Sequence, residues 1–424
     1  MNAIIISIGD ELLLGQTLDS NSAWLSARLA DRGVIPLYHK TIADDLQATV
    51  TALTLAIETA ELVIVTGGLG PTLDDLTRQA IATLMKKPLD MHPPSLERIR
   101  QLFKRLGREM PSSNRSQALI PRGAEVLNND WGTAPGIRFK SGKTTVFALP
   151  GVPYEMENMA ERHIFPMFDR GTGLAVVVAS LHTFGAGESA VAETLGDLMQ
   201  RGRNPLLGTT VSGGVVTVRF RCKAPTSKLA HKQLSATVEL VKQRLGPLVF
   251  GEGTVTLADA VGELAKAKAK RLVTAESCTG GLVAKLLTDV PGSSAWFDGG
   301  WITYANAMKN RELHVAASLI EKDGAVSESV VCAMADGALQ RSEADFSVAL
   351  TGVAGPDGGT EEKPVGTIWI AIGRRVGERR GVIAECFRFP GTRDRVRDLA
   401  AKTALNLLRL ELIRTGRSMW SVRQ

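Results

Sequence analysis

The N-terminal part of the chain alternates short apolar runs with longer amphipathic segments. Residues 4–8 are apolar except for Ser7, a pattern typical of a strand buried on both faces. The predicted elements run strand, helix, strand, helix, strand over residues 4–8, 19–33, 36–38, 46–60 and 62–65. Strands that alternate with helices in this way predict a parallel sheet covered by helices on both faces.

The pattern changes after about residue 171. Residues 215–221 (VVTVRFR) alternate apolar and polar positions over most of their length, as in a half-buried strand of an antiparallel sheet. The neighbouring segments indicate a strand at 174–178, a short helix from 185 to 199, an amphipathic helix over 228–245 and an apolar run at 248–250. Two helices and about three strands in so short a stretch predict a small α+β module.

The last third opens with a helical segment over residues 257–270. An apolar run, Leu272–Val273, then precedes a turn over Thr274–Gly281 (TAESCTGG), and a helical pattern follows at 282–287. The turn therefore joins a strand to a helix and carries hydroxyl groups and glycines. Such a turn can leave backbone N–H groups free to hold an anion, although on its own it is better interpreted as an ordinary capped helix start.

The final predicted helix, residues 395–415, has one apolar face. Its apolar positions, with Thr403 filling a gap, are Val396, Leu399, Ala400, Leu407 and Leu410. This spacing predicts packing of the helix against the domain core.

Composition places the chain among globular proteins of several domains. Its 424 residues suggest about three domains of ~150 residues each. Apolar residues make up 44% and charged residues 22%, which are ordinary values, and the net charge of +6 comes from scattered basic residues. With aromatic residues at only 5%, the chain has little material for a surface that stacks on nucleic-acid bases.

The cysteines and the N-terminus indicate a cytoplasmic protein. Four cysteines lie far apart and form no C-x-x-C pair, which argues against disulfides and a zinc site and favours a reducing compartment. Cys278, inside the turn over 274–281, is considered as a reactive thiol but is assigned a packing role. The chain begins with a predicted strand rather than a signal peptide, and no apolar run approaches the ~18 residues of a membrane span.

Polar or glycine-rich clusters recur after the predicted strands of the last third, where open α/β sheets bind their ligands. These clusters are Pro291–Ser294, Tyr304–Asn306 with Lys309, Thr351–Gly359 and Gly391–Arg393. No histidine lies in them, and the nearest, His314, falls on the predicted helix after Lys309. This absence argues against a Ser–His–Asp triad and leaves a serine activated by a desolvated lysine as the alternative.

Over residues 257–415 these motifs together resemble the nicotinamide mononucleotide (NMN) deamidase domain of the CinA (competence/damage-inducible) proteins. The resemblance implies release of ammonia from NMN without a cofactor. It implies Ser277 as the nucleophile and Lys309 as the base. Ser294 and Tyr304 then complete the hydrogen-bond network, and Ser294 stays open as an alternative nucleophile.

The same resemblance implies a set of substrate contacts in the last third of the chain. Arg393 suits the phosphate of NMN, because the forked donors of a guanidinium match phosphate oxygens. The full set of expected contacts is Thr279, Gly280, Thr351, Gly352 and Arg393.

The N-terminal part has motifs of its own after predicted strands. They are Gly9–Gly15 (GDELLLG), Thr66–Thr72 (TGGLGPT), Asp74–Asp75 and Leu149–Met156 (LPGVPYEM). A glycine-rich loop between a strand and a helix can cradle phosphates, although that signal alone is weak. Over residues 1–168 the set resembles the molybdopterin-binding fold of the MoaB, MogA and MoeA proteins, and more closely the N-terminal domain of CinA proteins. The resemblance implies metal-dependent cleavage of ADP-ribose to AMP and ribose 5-phosphate.

Acidic residues are the predicted metal ligands of this first site. Glu11, Asp74 and Asp75 could hold a divalent cation (Mg, Mn or Co) that bridges and polarises a pyrophosphate. Asp74 and Asp75 taken alone could instead only favour a helix N-terminus electrostatically. The predicted substrate contacts are Asn21, Gly67, Gly68, Gly70, Thr72, Pro150 and Gly151.

We predict an α/β protein with three parts. A three-layer, molybdopterin-binding-like domain covers residues 1–168, a small α+β, KH-like linker covers 169–253, and an α/β deamidase domain covers 254–424. The resemblance to CinA proteins implies that the linker is KH-like and contributes to a homodimer. Residues 185–187 are the nearest match to the G-x-x-G loop with which KH domains bind RNA, and they do not fit it, so no nucleic-acid partner is expected.

The predicted function is that of a bifunctional hydrolase of pyridine-nucleotide salvage, acting on NMN and on ADP-ribose. One alternative is an N-terminal domain that binds a pterin or nucleotide without cleaving it. Another, of a different class, is a competence- or DNA-damage-linked scaffold whose KH-like module binds nucleic acid. Salt-dependent retention on DNA or RNA would favour the scaffold, whereas ammonia release from NMN would favour the enzyme.

Overall fold

The computed structural model describes residues 1–168 and 175–414. In the N-terminal domain the strands are β1 (Asn2–Ile8), β2 (Ile35–Ile42), β3 (Leu62–Thr66), β4 (Leu89–Met91), β5 (Leu119–Pro121), β6 (Glu125–Leu127), β7 (Gly136–Ser141) and β8 (Thr144–Leu149). Its helices are α1 (Asp10–Leu13), α2 (Ser20–Asp31), α3 (Leu46–Thr59), α4 (Thr77–Met85), α5 (Pro93–Arg105) and α6 (Pro153–His163). The predicted alternation of strands and helices is therefore confirmed.

The fully buried strand β1 explains the layering of this domain. The main sheet has the order β2-β1-β3-β8-β7-β6, in which β1, β2, β3 and β8 run parallel. Alternate side chains of β1 point to opposite faces. Ile4 and Ile6 join the core beneath α3 and α4, whereas Ala3 and Ile5 join the core beneath α2 and α6. The three-layer arrangement predicted for this domain is confirmed.

The middle module contains β9 (Ala175–Thr183), α7 (Glu188–Leu195), β10 (Leu206–Ser212), β11 (Val215–Ala224), α8 (Ser227–Leu245) and β12 (Val249–Glu252). Its sheet has the order β10-β11-β9-β12. Strand β11 alternates buried and more accessible positions over most of its length, as the sequence pattern predicts. The strand predicted at 174–178 runs on to Thr183, with Leu174 outside the described residues, and β10 was not predicted.

The C-terminal domain contains strands β13 (Leu272–Glu276), β14 (Phe297–Ile302), β15 (Phe346–Gly352), β16 (Thr367–Val376) and β17 (Arg379–Arg388). Its helices are α9 (Leu257–Ala267), α10 (Leu282–Thr288), α11 (Asn306–Leu313), α12 (Ala317–Asp323), α13 (Glu328–Gln340) and α14 (Arg393–Ile413). The sheet order is β14-β13-β15-β16-β17, with the first three strands parallel and the last two antiparallel. The predicted α/β class of this domain is confirmed.

The last helix differs from its prediction in position and in burial. It begins two residues earlier than predicted, at Arg393, and its described part ends at Ile413. Val396, Ala400 and Leu407 are buried as the apolar pattern predicts. The other two predicted core positions, Leu399 and Leu410, are only half-buried and line a groove.

Two compact units account for the chain, residues 1–178 with 221–234 and residues 179–220 with 235–424. The C-terminal sheet and most of the middle module belong to the second unit. Within the ranges 1–168 and 175–414, no helix is both long and apolar enough to cross a membrane.

Candidate functional site

Three parallel strands of the C-terminal sheet end at one edge, and the connections from β13 and β15 leave in different directions. Strand β13 lies between β14 and β15. The N–H of Ser277, directly after β13, donates to the carbonyl of Leu350 in β15 at 3.0 Å. The N–H of Thr303, directly after β14, donates to the carbonyl of Glu276 at 2.8 Å. Open α/β sheets bind ligands at such a point, where neighbouring strands end and their connections diverge.

A serine and a lysine form the centre of this site. Lys309 comes from the first turn of α11, and its side chain is buried with 1% of its surface exposed. Its Nζ donates to Ser277 Oγ at 3.2 Å, to the Thr303 carbonyl at 3.0 Å and to the Tyr304 carbonyl at 3.3 Å. In the described parts of the chain, Lys309 forms no salt bridge with a carboxylate. The structure therefore brings the predicted nucleophile and the predicted base together.

Burial changes the acid–base behaviour of this lysine. Removal from water disfavours the charged ammonium and lowers the pKa of Lys309 below its ordinary value, a shift that the nearby Cys278 opposes. A lowered pKa leaves more of the amine unprotonated near neutral pH. An unprotonated amine in contact with a serine hydroxyl can accept the hydroxyl proton.

Glu276 organises the turn that carries the serine, and sequence reasoning missed it. Its carboxylate is 1% exposed and accepts hydrogen bonds from the N–H groups of Gly281 at 3.0 Å, Val283 at 3.1 Å and Ala284 at 2.8 Å. These amides begin α10. The prediction that they are free to hold an anion is wrong, because Glu276 already satisfies them. The available signal was an acidic residue at the end of an apolar strand, just before a helix start.

The glycines of the turn are required by its geometry. Gly280 and Gly281 have φ values of 61° and 92°, in the left-handed region where a side chain is strained. Thr279, before them, is fully buried, and its Oγ1 has no hydrogen-bond partner within residues 1–168 and 175–414. This hydroxyl, two residues after Ser277, is therefore a buried polar group that the described residues leave unsatisfied.

The structure brings Tyr304 to the site but not Ser294. The Tyr304 carbonyl accepts from Lys309, while its ring is 59% exposed and its hydroxyl accepts from Arg393 Nη2 at 2.8 Å. Ser294 is exposed in the turn before β14. No hydrogen bond among the described residues joins Ser294 to Ser277 or Lys309.

The remaining predicted contacts surround the serine–lysine pair from β15 and α14. Arg393 begins α14, and its Nη1 donates to the carbonyl of Gly355 at 2.7 Å. The Thr351 hydroxyl is buried and donates to the carbonyl of Ala325 at 2.8 Å. At Gly352 an added methyl group would overlap Ile368, so only glycine fits. Thr351 and Gly352 therefore shape the site more than they offer free polar groups to it.

Cys278, beside the serine, is a buried thiol. Burial raises its pKa to about 12, so the group stays protonated at neutral pH. This state agrees with the packing role predicted for it.

A second cavity, of about 480 Å³, lies in the N-terminal domain where the parallel strands β1, β3 and β8 end. Every residue predicted for the first site lines this cavity: Glu11, Asn21, Gly67, Gly68, Gly70, Thr72, Asp74, Asp75, Pro150 and Gly151. Gly67 has φ 101°, and an added methyl group would overlap the carbonyl of Ile8. The glycine-rich loop can therefore approach β1 more closely than any side chain would permit.

Asn21 offers this cavity a free acceptor. Its Nδ2 donates to the carbonyl of Gly151 at 2.8 Å, which links α2 to the loop after β8. The side chain is 8% exposed, and its Oδ1 has no partner in the described ranges. An amino or hydroxyl group of a ligand could donate to that oxygen.

The predicted metal ligands are not equivalent. The Asp75 carboxylate accepts from the N–H of Gly70 at 2.6 Å, from the N–H of Thr72 at 2.8 Å and from the Thr72 hydroxyl. Asp75 and Thr72 therefore hold the glycine-rich loop in shape, and this arrangement does not support the ligand role predicted for Asp75. Arg78, buried below, donates to the carbonyls of Leu69 and Gly70 at 2.7 Å each.

Glu11 and Asp74 line the same cavity as Asp44, a carboxylate that sequence reasoning missed. Burial raises the pKa of Asp44, and the charges of Asp10, Glu11 and Asp74 raise it further, against a hydrogen bond from the Asp10 N–H. Carboxylates that repel one another in a cavity are typical of a cation site. Across the described ranges, no three His, Cys, Asp or Glu side chains are already gathered as a metal cluster.

The role of Glu276 gives a testable prediction. Glu276→Gln keeps the shape but turns an N–H₂ group toward amides that need an acceptor, so the free energy of unfolding should fall by about 1–3 kcal/mol. Thermal unfolding followed by circular dichroism checks this. Glu321→Gln, an exposed change on α12, is the matched control and should be neutral. Equal stability of the Glu276→Gln and control proteins would contradict the capping role.

Comparisons with known proteins show the family of the chain. The chain matches the models of the CinA C-terminal domain over residues 254–412, the probable molybdopterin binding domain over 4–170 and the damage-inducible protein CinA KH domain over 179–251. A putative competence-damage inducible protein of Symbiobacterium thermophilum is 42% identical, covering 97% of this chain and 99% of its own length. A CinA-like protein of Geobacter sulfurreducens is 41% identical, covering 97% and 100%.

A solved structure matches part of the chain. The competence/damage inducible protein CihA of Agrobacterium tumefaciens is 41% identical and covers 37% of this chain and 94% of its own, with a TM-score of 0.36. This chain belongs to the competence/damage-inducible CinA family.

Proposed function

We propose that the C-terminal domain is an NMN deamidase, which hydrolyses the carboxamide of nicotinamide mononucleotide to a carboxylate and ammonia. The observation that carries the proposal is the 3.2 Å contact between Lys309 Nζ and Ser277 Oγ. A buried amine of lowered pKa against a serine hydroxyl, at the ligand edge of an α/β sheet, is an activated nucleophile. No cofactor is required for this chemistry.

The proposed reaction runs through an acyl-enzyme. The unprotonated Lys309 amine takes the proton of Ser277, and Oγ attacks the carboxamide carbon to form a tetrahedral intermediate. Collapse of that intermediate breaks the C–N bond, and the Lys309 ammonium returns the proton to the leaving ammonia. Lys309 then deprotonates a water, which attacks the acyl carbon. As the ester C–O bond breaks, the Lys309 ammonium returns this proton to Ser277 Oγ, and the released acid loses its remaining proton to solvent as the carboxylate.

Two carbonyls keep the amine aligned during these transfers. The Thr303 and Tyr304 carbonyls accept from Nζ and fix its position, while burial keeps the pKa of Lys309 lowered. Arg393 stands at the rim of the site. A guanidinium has five N–H donors, so its two bonds to Tyr304 and Gly355 leave others for the phosphate of NMN.

For the N-terminal domain we propose cleavage of ADP-ribose to AMP and ribose 5-phosphate. The support is the cavity at the ends of β1, β3 and β8, with its glycine-rich loop and acidic wall. Glu11, Asp44 and Asp74 would hold a divalent cation (Mg, Mn or Co), which when bound neutralises and polarises a pyrophosphate. Asn21 would orient the ligand through its free Oδ1.

Two further proposals concern partners. We propose that the protein is a homodimer through its middle module, which light scattering of the purified protein would test. A nucleic-acid scaffold has less support, because residues 185–187 lead directly into α7 and do not form a G-x-x-G loop between two helices. Retention on DNA or RNA that weakens with increasing salt would favour the nucleic-acid scaffold hypothesis.

The first prediction tests the nucleophile and the base. Ser277→Ala and Lys309→Met should each lower the rate of ammonia release from NMN by at least about 10³-fold, because the residues act as one unit. A coupled ammonia assay and circular dichroism measure activity and folding together. Ser294→Ala is the matched control and should keep most of the activity. Loss in Ser294→Ala with retention in Ser277→Ala would assign the nucleophile to Ser294.

The second prediction concerns pH. The free amine of Lys309 is the active form, so kcat/KM for NMN should rise with pH through a pKa below the ordinary lysine value of 10.5. Stability should also rise with pH between the lowered pKa of Lys309 in the folded protein and its ordinary pKa in the unfolded chain. In that range the unfolded chain binds more protons than the folded protein. A rate profile measured from pH 5 to 11 checks this. A rise in kcat/KM with a pKa at or above the ordinary lysine value would contradict the assignment of Lys309 as the base.

The third prediction separates the two sites. EDTA should abolish ADP-ribose cleavage and leave NMN deamidation unchanged in the same full-length protein. Glu11→Gln and Asp74→Asn should lower the cleavage rate at least about tenfold, and added metal should partly restore it. Asp31→Asn, an exposed change at the end of α2, serves as the control. Cleavage that resists both EDTA and these substitutions would remove the metal from the proposal.

A further inference from the structure

The cavity of the N-terminal domain has a second end, away from its acidic residues. There Asn21 donates from Nδ2 to the carbonyl of Gly151 at 2.8 Å, which joins the start of α2 to the loop after β8. Leu18 lies three residues before Asn21, and Val152 directly follows Gly151. All four residues line the cavity. The hydrogen bond therefore brings two apolar side chains to one end of the cavity, which we call the Asn21 end.

The acidic residues gather beside the other edge of the parallel strands. Asp44 follows β2, and the charges of Glu11 and Asp74 act on it. Gly151 follows β8, and β1 and β3 lie between β2 and β8 in the sheet. Neighbouring strands lie ~4.8 Å apart, so the ends of β2 and β8 are separated by ~14 Å. An extended nucleoside diphosphate can span this distance, with its phosphates near the carboxylates and its base at the Asn21 end.

The Asn21 end has a polar group that lacks a partner. The side chain of Asn21 is 8% exposed, and its Oδ1 accepts no hydrogen bond from residues 1–168 or 175–414. The amide cannot be turned round, because the Gly151 carbonyl needs the Nδ2 donor and would repel Oδ1. A buried acceptor is costly when it is left unpaired. This end of the cavity therefore favours a ligand that presents an N–H or O–H donor.

Apolar surface accompanies this acceptor. Leu18 is 88% exposed and Val152 is 54% exposed. Single exposed apolar residues are common on protein surfaces and indicate little by themselves. Here both line one cavity together with an unpartnered acceptor, and apolar walls with a few placed polar groups are typical of small-molecule pockets. A nucleobase matches this chemistry, because it has flat apolar faces and a polar edge.

We propose that the Asn21 end binds an adenine base, with its 6-amino group donating to Asn21 Oδ1 and its faces against Leu18 and Val152. Adenine carries an amino group at position 6, whereas hypoxanthine and guanine carry a carbonyl oxygen there. An oxygen in that place would face Oδ1 with no donor between them, so the site selects adenine nucleotides. The inference rests on the cleavage of ADP-ribose proposed for this domain and names the residues that select its base.

Binding of two nucleotides tests the selection. AMP and inosine monophosphate (IMP) differ at position 6 of the base, where IMP carries the carbonyl oxygen. The full-length protein with Mg²⁺ should bind AMP at least about tenfold more tightly than IMP in isothermal titration calorimetry. Equal affinities for the two nucleotides would overturn the proposal.

An Asn21 variant assigns the preference to this end of the cavity. Asn21→Ala should lower the affinity for AMP at least about tenfold and leave the affinity for IMP nearly unchanged, so that the preference is lost. Loss of the hydrogen bond to Gly151 alone would weaken the binding of both nucleotides alike. An equal decrease for AMP and IMP would therefore give Asn21 a structural role only and refute the adenine site.

A surface variant keeps the test valid if Asn21→Ala folds poorly. Leu18→Ser, at an exposed position, should lower the affinity for AMP at least about threefold by removing apolar contact with the base. Leu14→Ser is the matched control, because Leu14 is 71% exposed and does not line the cavity, and it should bind AMP normally. Equal AMP affinities of the two variants would contradict the contact with Leu18.

Cleavage assays separate this inference from the proposed reaction. The wild-type protein should cleave ADP-ribose with a kcat/KM at least about tenfold above that for inosine diphosphate ribose, and Asn21→Ala should lose the difference. Equal kcat/KM values for the two compounds in the wild-type protein would refute the adenine site and leave the reaction standing. Selective binding of AMP without any cleavage would instead remove the reaction and support the adenine site.

Discussion

The carboxylate of Glu276 is the constraint on which the C-terminal site depends. A tight turn between β13 and α10 leaves several backbone N–H groups inside the protein, and an unsatisfied buried amide costs about 1–3 kcal/mol. Glu276 accepts three of them at once and is itself buried. With the turn held in this way, Ser277 is fixed between two strand ends and its hydroxyl faces Lys309. The left-handed Gly280 and Gly281 complete the same turn.

Lys309 shows how opposing forces are balanced in that site. Its two carbonyl acceptors favour the ammonium, whereas burial, with no carboxylate partner among residues 1–168 and 175–414, favours the free amine. The pKa of Lys309 is lowered, and burial is the largest cause of the shift. A carboxylate in their place would hold the lysine charged and would leave Ser277 without a base. The proposed role of Lys309 as a base therefore depends on its burial as well as on its hydrogen-bond partners.

The sequence was sufficient for those features that depend on local pattern. Burial of β1 follows from its uninterrupted apolar run, and the site positions follow from polar clusters after parallel strands. Glu276 and Asp44 were missed because their partners, backbone amides and neighbouring carboxylates, depend on how the chain turns in space. The position of Ser294, exposed and apart from Lys309, could not be predicted from the sequence either, because a motif does not specify distances in space.

The packing of helix α14 shows the same limit of prediction from sequence. Its periodicity correctly identified an apolar face, but periodicity cannot distinguish contact with the core from contact with a groove. Ala400 is buried in the core, whereas Leu399 and Leu410 are half-buried and line the groove, although all three belong to the predicted apolar face. What differs is the neighbouring surface, which comes from β10 and β17. Strand β10 is remote from α14 in sequence and was itself not predicted.

The thiol of Cys278 has a consequence for chemical durability. Oxidants and alkylating agents attack the thiolate, and a pKa of about 12 leaves almost none of it near neutral pH. Burial therefore disfavours attack by peroxide on Cys278, although this residue lies within the turn that positions the Ser277 hydroxyl. A hydrolase with a cysteine nucleophile at this position would lose activity when its thiolate was oxidised to sulfenic acid. Serine and a sheltered thiol give this turn a tolerance of oxidising conditions that an exposed cysteine would remove.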